Sequence, residues 1–244
     1  MLRFRPEVLP FIAAAAIAGV LLTLIIRACG PKWCCASVWG LALFLIATLY
    51  FLYFFRDPDR HAPGDDNLIV SSGEGTLAAI TPLTSDAFRE HARRSGLDPD
   101  ALGRLSHGDV TRISVFLSPF NVHVNRAPLN GKSRFLGYFP GKHIFTGNEK
   151  SSEENQHNSI LIEHPRTTCL LNQIVGPVCR RVVYWLPHDR TVDVRQGDRI
   201  GMMKFGSRLD LYFPSADIEA TITVGDPVKA GETVVARLRG SGGA

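Results

Sequence analysis

The chain has 244 residues, 45% of them hydrophobic, which is enough for one large domain and an additional apolar segment. Its net charge of +4 is misleading as a guide to partners, because Arg3, Arg5, Arg27 and Lys32 against Glu7 put most of the excess in the first 55 residues. The remainder is close to neutral and has no Lys/Arg stripe interleaved with aromatics, so a nucleic-acid partner is excluded.

Two uncharged stretches, Val8 to Ile26 and Ala36 to Phe55, open the chain. At roughly 1.5 Å per residue, each helix would come close to the ~30 Å hydrocarbon core of a bilayer. Arg27 spoils the Ile26-Arg27-Ala28-Cys29 stretch as a lipoprotein cleavage site, and a second full-length apolar segment follows. The pair is therefore read as a transmembrane or re-entrant helical hairpin, not a cleaved signal. Arg3 and Arg5 flank one end, Arg56 and Arg60 the other, which allows both ends and the following domain to face the cytoplasm. Residues 1–55 are expected to form the membrane anchor and residues 56–244 the remaining domain.

Pro58, Pro63 and Gly64 mark a turn-rich exit from the hairpin. Leu68 to Val70 is a short strand running into Ser71-Ser72-Gly73-Glu74-Gly75. Thr84 or Ser85 can cap a helix that continues to about Arg94 and stops at Gly96. Most of the rest alternates with period two or forms short apolar runs: 112–117, 159–163, 167–175, 181–186, 209–213 and 218–224. Many short strands separated by Gly/Pro turns predict an α+β domain with a β-rich, sandwich- or barrel-like body. Five cysteines, an odd number without regular spacing, indicate a reducing compartment; with no C-x-x-C pair, no metal is expected.

The sharpest local feature is Lys204-Phe205-Gly206-Ser207-Arg208, between apolar Ile200–Met203 and alternating Leu209–Phe213. A Gly-Ser pair between strands is ordinarily a turn, yet here the apolar pattern continues almost directly through it. The surrounding Gly201 to Pro214 resembles the processing region of short-form phosphatidylserine decarboxylases. Four further segments match that family in order: Phe54 to Arg60 at the membrane exit, Ser71 to Gly75, the histidine-containing Ser118 to Pro128, and Glu153-Glu154-Asn155.

The resemblance implies chain splitting between Gly206 and Ser207, into a β chain of 1–206 and an α chain of 207–244, with Ser207 converted to a pyruvoyl cofactor. It implies that this group receives the amine of phosphatidylserine and accepts electrons as CO₂ leaves, giving phosphatidylethanolamine. His123 becomes the candidate base for activating the serine hydroxyl, a contribution typically of about 10²–10⁴-fold. Glu74, one methylene longer, stands where the family usually has an Asp implicated in self-cleavage as partner or base, and is the third catalytic candidate beside Ser207 and His123. Asn125 and Arg126 are candidates for substrate binding, Arg126 through a bidentate fork to phosphate or carboxylate. The implied partners are the membrane phospholipid and the two chains of one precursor; a homo-oligomer is left open. Three other readings remain: a biotinyl-like carrier domain using Lys204, a membrane scaffold of the same fold that does not process, and a close variant acting on a different serine lipid, such as an ether-linked one.

Overall fold

The computed structural model describes residues 2–29, 35–177, 181–204 and 207–240. The chain divides into two compact units, Met1–Asp59 and Arg60–Ala244.

The first unit is a helical pair, α1 (Leu9–Ala28) and α2 (Ala36–Phe54), with a two-stranded antiparallel ribbon of Leu2–Phe4 and Arg56–Pro58 at its base. Large side chains such as Ile17, Leu24, Leu41 and Leu49 point outward, whereas the buried positions include Ala15, Gly19, Ala36 and Gly40. Small residues at the contact let the backbones approach: a Cβ on Gly19 would sit 2.6 Å from the Gly40 carbonyl oxygen. Both helices are long and apolar enough to cross a bilayer.

The second unit is mixed α and β, as the sequence indicates. Its centre is an eight-stranded antiparallel sheet, whose order is Val192–Val194, Gly131–Phe139, His157–His164, Thr167–Ile174, Ser207–Pro214, Val110–Leu117, Gly75–Leu83 and Pro227–Val228. Two three-stranded sheets accompany it. One joins Val182–Tyr184, Arg199–Met203 and Val124–Arg126; the other joins Ile218–Ala220, Val234–Leu238 and Leu68–Val70. The main core lies on one face of the large sheet, formed by residues such as Ile113, Val115, Leu209, Leu211 and Phe213. A smaller core on the other face packs Phe88 and Ala92 of α3 (Ser85–Arg94) against Leu161, Leu170 and Tyr212. The Thr84 hydroxyl caps α3 by accepting from the Ala87 N–H at 3.3 Å, and Gly96 follows with φ +80°, as the Ser/Thr and Gly signals predict.

Several expectations change: Pro58, read as part of a turn-rich exit, ends the strand Arg56–Pro58, and Gly75–Leu83 is a further strand whose alternation is broken by a register shift between Leu77 and Ala79. The alternating run 218–224 is a strand only over Ile218–Ala220, because the Thr223 N–H turns to the Asp226 carboxylate at 3.1 Å and closes a turn. The Gly131–Phe139 strand was not anticipated: a register shift between Phe135 and Gly137 breaks its alternation. Among the described cysteines, Cys29 and Cys35 are exposed thiols and Cys169 is a buried one; Cys34 and Cys179 lie outside the described residues.

Candidate active site

Ser207 is the first residue of its strand and pairs with Leu117. On the other flank, Arg208 pairs with Ile174 and Leu209 with Gln173. The strand therefore lies inside the sheet with all eight residues buried. Period-two alternation puts Ser207 on the main-core face with Leu209, Leu211 and Phe213, and puts Arg208, Asp210 and Tyr212 on the opposite face. The Ser207 hydroxyl is fully buried and has no hydrogen-bond partner among the described residues. Leaving a buried hydroxyl unsatisfied costs ~1–3 kcal/mol, so such an atom calls for a chemical reason. Gly206, the other half of the expected cleavage site, lies outside the described residues.

His123 approaches from the turn that follows Leu117. The Asn121 side chain fixes that turn by accepting from the Ser118 N–H at 2.9 Å and the Ser118 hydroxyl at 2.7 Å. The His123 carbonyl accepts from the Met203 N–H at 3.1 Å, so its backbone is held against the strand leading to Gly206. Its ring is fully buried, with Nδ1 2.9 Å from the Asn121 carbonyl oxygen. A carbonyl can only accept, so in the neutral ring Nδ1 carries the proton and Nε2 holds the lone pair a general base requires.

Glu74 is the last residue before the strand that begins at Gly75. Its Oε1 accepts from the Val122 N–H at 3.1 Å, one residue before His123, and its Oε2 is ion-paired with Arg60. The next residue must be glycine, because a Cβ on Gly75 would sit 2.0 Å from the Phe116 carbonyl oxygen. Gly75 thus packs on the Phe116–Leu117 backbone, Leu117 pairs with Ser207, and His123 is bonded to Met203, four residues before Ser207.

Asn125 is fully buried, and its Oδ1 accepts from Gln173 Nε2 at 2.7 Å. The Gln173 Oε1 in turn accepts from Asn158 Nδ2 at 3.1 Å. Asn125 Nδ2 is buried without a partner among the described residues, leaving a polar donor as well as a hydroxyl unsatisfied in this part of the core. Arg126 is 4% exposed and donates from Nη1 to the Gly197 carbonyl at 2.8 Å. It lines a cleft of about 410 Å³ with Arg60, Asp193, Asp198 and Arg199. Lys204 is half-buried, and its N–H meets the Arg181 carbonyl at 3.3 Å.

On the opposite face of the Ser207 strand is a buried charged network that sequence reasoning missed. Arg208 Nε donates to Asp210 Oδ1 at 2.8 Å, and its Nη2 donates to the Ser114 hydroxyl at 2.8 Å and to Glu149 at 2.9 Å. Arg112 is paired with the same Glu149 carboxylate. Burial alone would raise the Asp210 carboxyl, but Arg208, Arg112 and the Ser114 and Ser152 hydroxyls hold it below its ordinary value. The Tyr212 hydroxyl meets His91 Nε2 at 2.8 Å, and burial, only partly offset by Asp210, lowers His91 to about 4. Arg208, Asp210 and Tyr212 alternate with Leu209, Leu211 and Phe213 in the sequence, a pattern that ordinarily marks a solvent face; here α3 covers it. His157 is buried beside the network and stacked on Phe139 with centroids 5.3 Å apart.

The sequence model of the family described as phosphatidylserine decarboxylase matches residues 47–236. A relative from Chlorobium chlorochromatii (strain CaD3), described as a phosphatidylserine decarboxylase proenzyme, is 37% identical over 202 residues, covering 83% of this chain and 85% of the relative.

Proposed function

The chain belongs to the phosphatidylserine decarboxylase family, whose reaction is the decarboxylation of phosphatidylserine; on that premise we propose that its reactive centre is a pyruvoyl group made from Ser207 by self-cleavage after Gly206. The observation that carries this reading is the Ser207 hydroxyl, buried and without a partner among the described residues at the first position of an internal strand. The relative's description as a proenzyme is consistent with it.

In the proposed self-cleavage, His123 Nε2 takes the Ser207 hydroxyl proton while Oγ attacks the Gly206 carbonyl carbon. The Gly206–Ser207 C–N bond breaks, the nitrogen gains the proton, and an ester joins the two residues. Removal of the Ser207 Cα proton then breaks the Cβ–O bond and leaves Gly206 with a free carboxylate. Water enters the dehydrated residue, ammonia leaves, and a keto group remains at position 207. Glu74, held by Arg60 and holding the Val122 N–H, keeps the His123 loop in place.

The pyruvoyl group supplies an electrophilic carbonyl that takes up the substrate amine and receives the electron pair freed when CO₂ departs. The buried donor of Asn125 suits the substrate carboxylate, and the Arg126 cleft suits an anionic phosphate. His123 returns a proton to the carbon that lost CO₂. The two apolar helices support association with the membrane that holds this substrate. We place the catalytic unit on the cytoplasmic side, since Arg3, Arg5, Arg56 and Arg60 flank the outer ends of the pair.

The test is conversion of phosphatidylserine in mixed vesicles. Phosphatidylethanolamine should form, and pre-incubation with cyanoborohydride plus ammonia should stop it by reducing the keto centre. Turnover that survives this treatment would rule out a pyruvoyl centre.

A further inference from the structure

Arg60 is the first residue of the second compact unit, and nothing in its sequence setting assigns it a role beyond flanking the membrane segment. Its guanidinium bridges two carboxylates. Nη2 is ion-paired with Glu74 Oε2, and Nη1 donates to Glu232 Oε2 at 3.0 Å. The Arg60 and Glu74 side chains are each only 13% exposed, so solvent screens the pair weakly. Glu232 also accepts from the His61 N–H at 3.4 Å, and the neighbouring Gly231 N–H donates to the Ser71 carbonyl at 2.8 Å. The segment leaving the membrane anchor is thereby strapped to the loop that presents Glu74.

The second oxygen of Glu74 holds the Val122 N–H at 3.1 Å, and Val122 is bonded directly to His123. A continuous series of contacts therefore runs from Arg60 through Glu74 and Val122 to His123. The planar fork of arginine fixes both carboxylates at once, which a lysine ammonium cannot do with the same geometry. Without it, the Glu74 carboxylate loses its charged partner, and its bond to the Val122 N–H is held less firmly. A displacement of about 1 Å at a reacting group can cost on the order of 10²-fold in rate.

We propose that Arg60 is a positioning residue for chain splitting: it sets the Glu74 carboxylate that holds the loop carrying His123. This rests on the pyruvoyl reading above. After splitting, Arg60 would also join the β chain to Glu232 of the α chain.

The test is a double-mutant cycle on the full chain, made by cell-free synthesis with phospholipid vesicles and followed by pulse-chase as appearance of the α chain. Arg60→Met is expected to slow splitting by about 10- to 100-fold, and Arg60→Lys to recover part of that loss. Glu74→Asp, which withdraws the carboxylate by one methylene, is expected to be non-additive with either. Wild-type splitting rates in Arg60→Met, or effects that multiply independently, would overturn the proposal. If Arg60→Met fails to fold, the Arg60→Lys and Glu74→Asp cycle decides by the same criterion. A wild-type chain that never splits would instead remove the pyruvoyl reading. Arg60 would then be judged by hydrogen exchange at the Val122 amide, expected to be about 10-fold faster in Arg60→Met; unchanged exchange would overturn the proposal.

Discussion

Ser207 pairs with Leu117, and the chain leaving Leu117 turns back at once to place the His123 carbonyl on the Met203 N–H at 3.1 Å. The segment that carries the proposed base is thus tied by one end to the strand partner of the proposed nucleophile and by the other to the strand that precedes the proposed cleavage site. Cutting the chain between Gly206 and Ser207 removes no strand pairing of Ser207–Pro214, which keeps neighbours on both sides.

The two chains are therefore expected to stay together after splitting. Size-exclusion chromatography in mild detergent should show residues 1–206 and 207–244 co-eluting, and they should separate only in denaturant. Dissociation under native conditions would contradict the internal position of the Ser207 strand.

Replacing His123 with Gln keeps a polar side chain of similar bulk but removes the titratable nitrogen. Chain splitting is expected to slow by about 10²–10⁴-fold with little change in melting temperature. Pulse-chase on the full chain measures the rate, and near-normal splitting would reassign the base.

Asp210→Asn should cost stability through the opposite face of the same strand. It leaves the fully buried Arg208 guanidinium with less compensating charge. Breaking a buried pair from one side typically costs about 3–5 kcal/mol. Urea denaturation of the detergent-solubilised protein should show the lower midpoint; an unchanged midpoint would mean that Glu149 and Ser114 suffice for Arg208.

Acid should weaken the fold in a defined window. His91 is lowered from 6.5 to about 4, so the unfolded chain binds a proton there that the folded chain refuses. Its stabilisation is fully present above pH 6.5, is lost progressively as pH falls towards 4, and changes no further below that. The span corresponds to about 3 kcal/mol, and the depressed Asp210 carboxyl adds loss at the acid end. Thermal unfolding between pH 7 and 4 should show this slope, and His91→Gln should flatten it.

The apolar hairpin, the α3 cap and the strand-rich body were legible because each depends on local pattern: unbroken hydrophobicity, a Thr followed downstream by Gly, and period-two alternation. The Gly131–Phe139 strand was hidden by its bulge, which takes Gly137 out of the two-residue rhythm. Ser207, His123, Glu74 and Asn125 could be singled out because they sit in ordered motifs. The Arg208–Asp210–Tyr212 network and the Arg60 contacts could not. Charged residues alternating with Leu look solvent-facing until a helix is known to cover them, and Arg60 meets Glu232 across 172 positions of sequence.

The most direct test of the Ser207 assignment is the intact mass of the purified protein beside its Ser207→Ala variant, each with and without cyanoborohydride and ammonia. Two wild-type species divided between Gly206 and Ser207, the smaller gaining mass on reductive amination, and a single uncut chain for the variant, are the predicted result. A wild-type protein that stays intact, or a variant that still splits at the same bond, would contradict it.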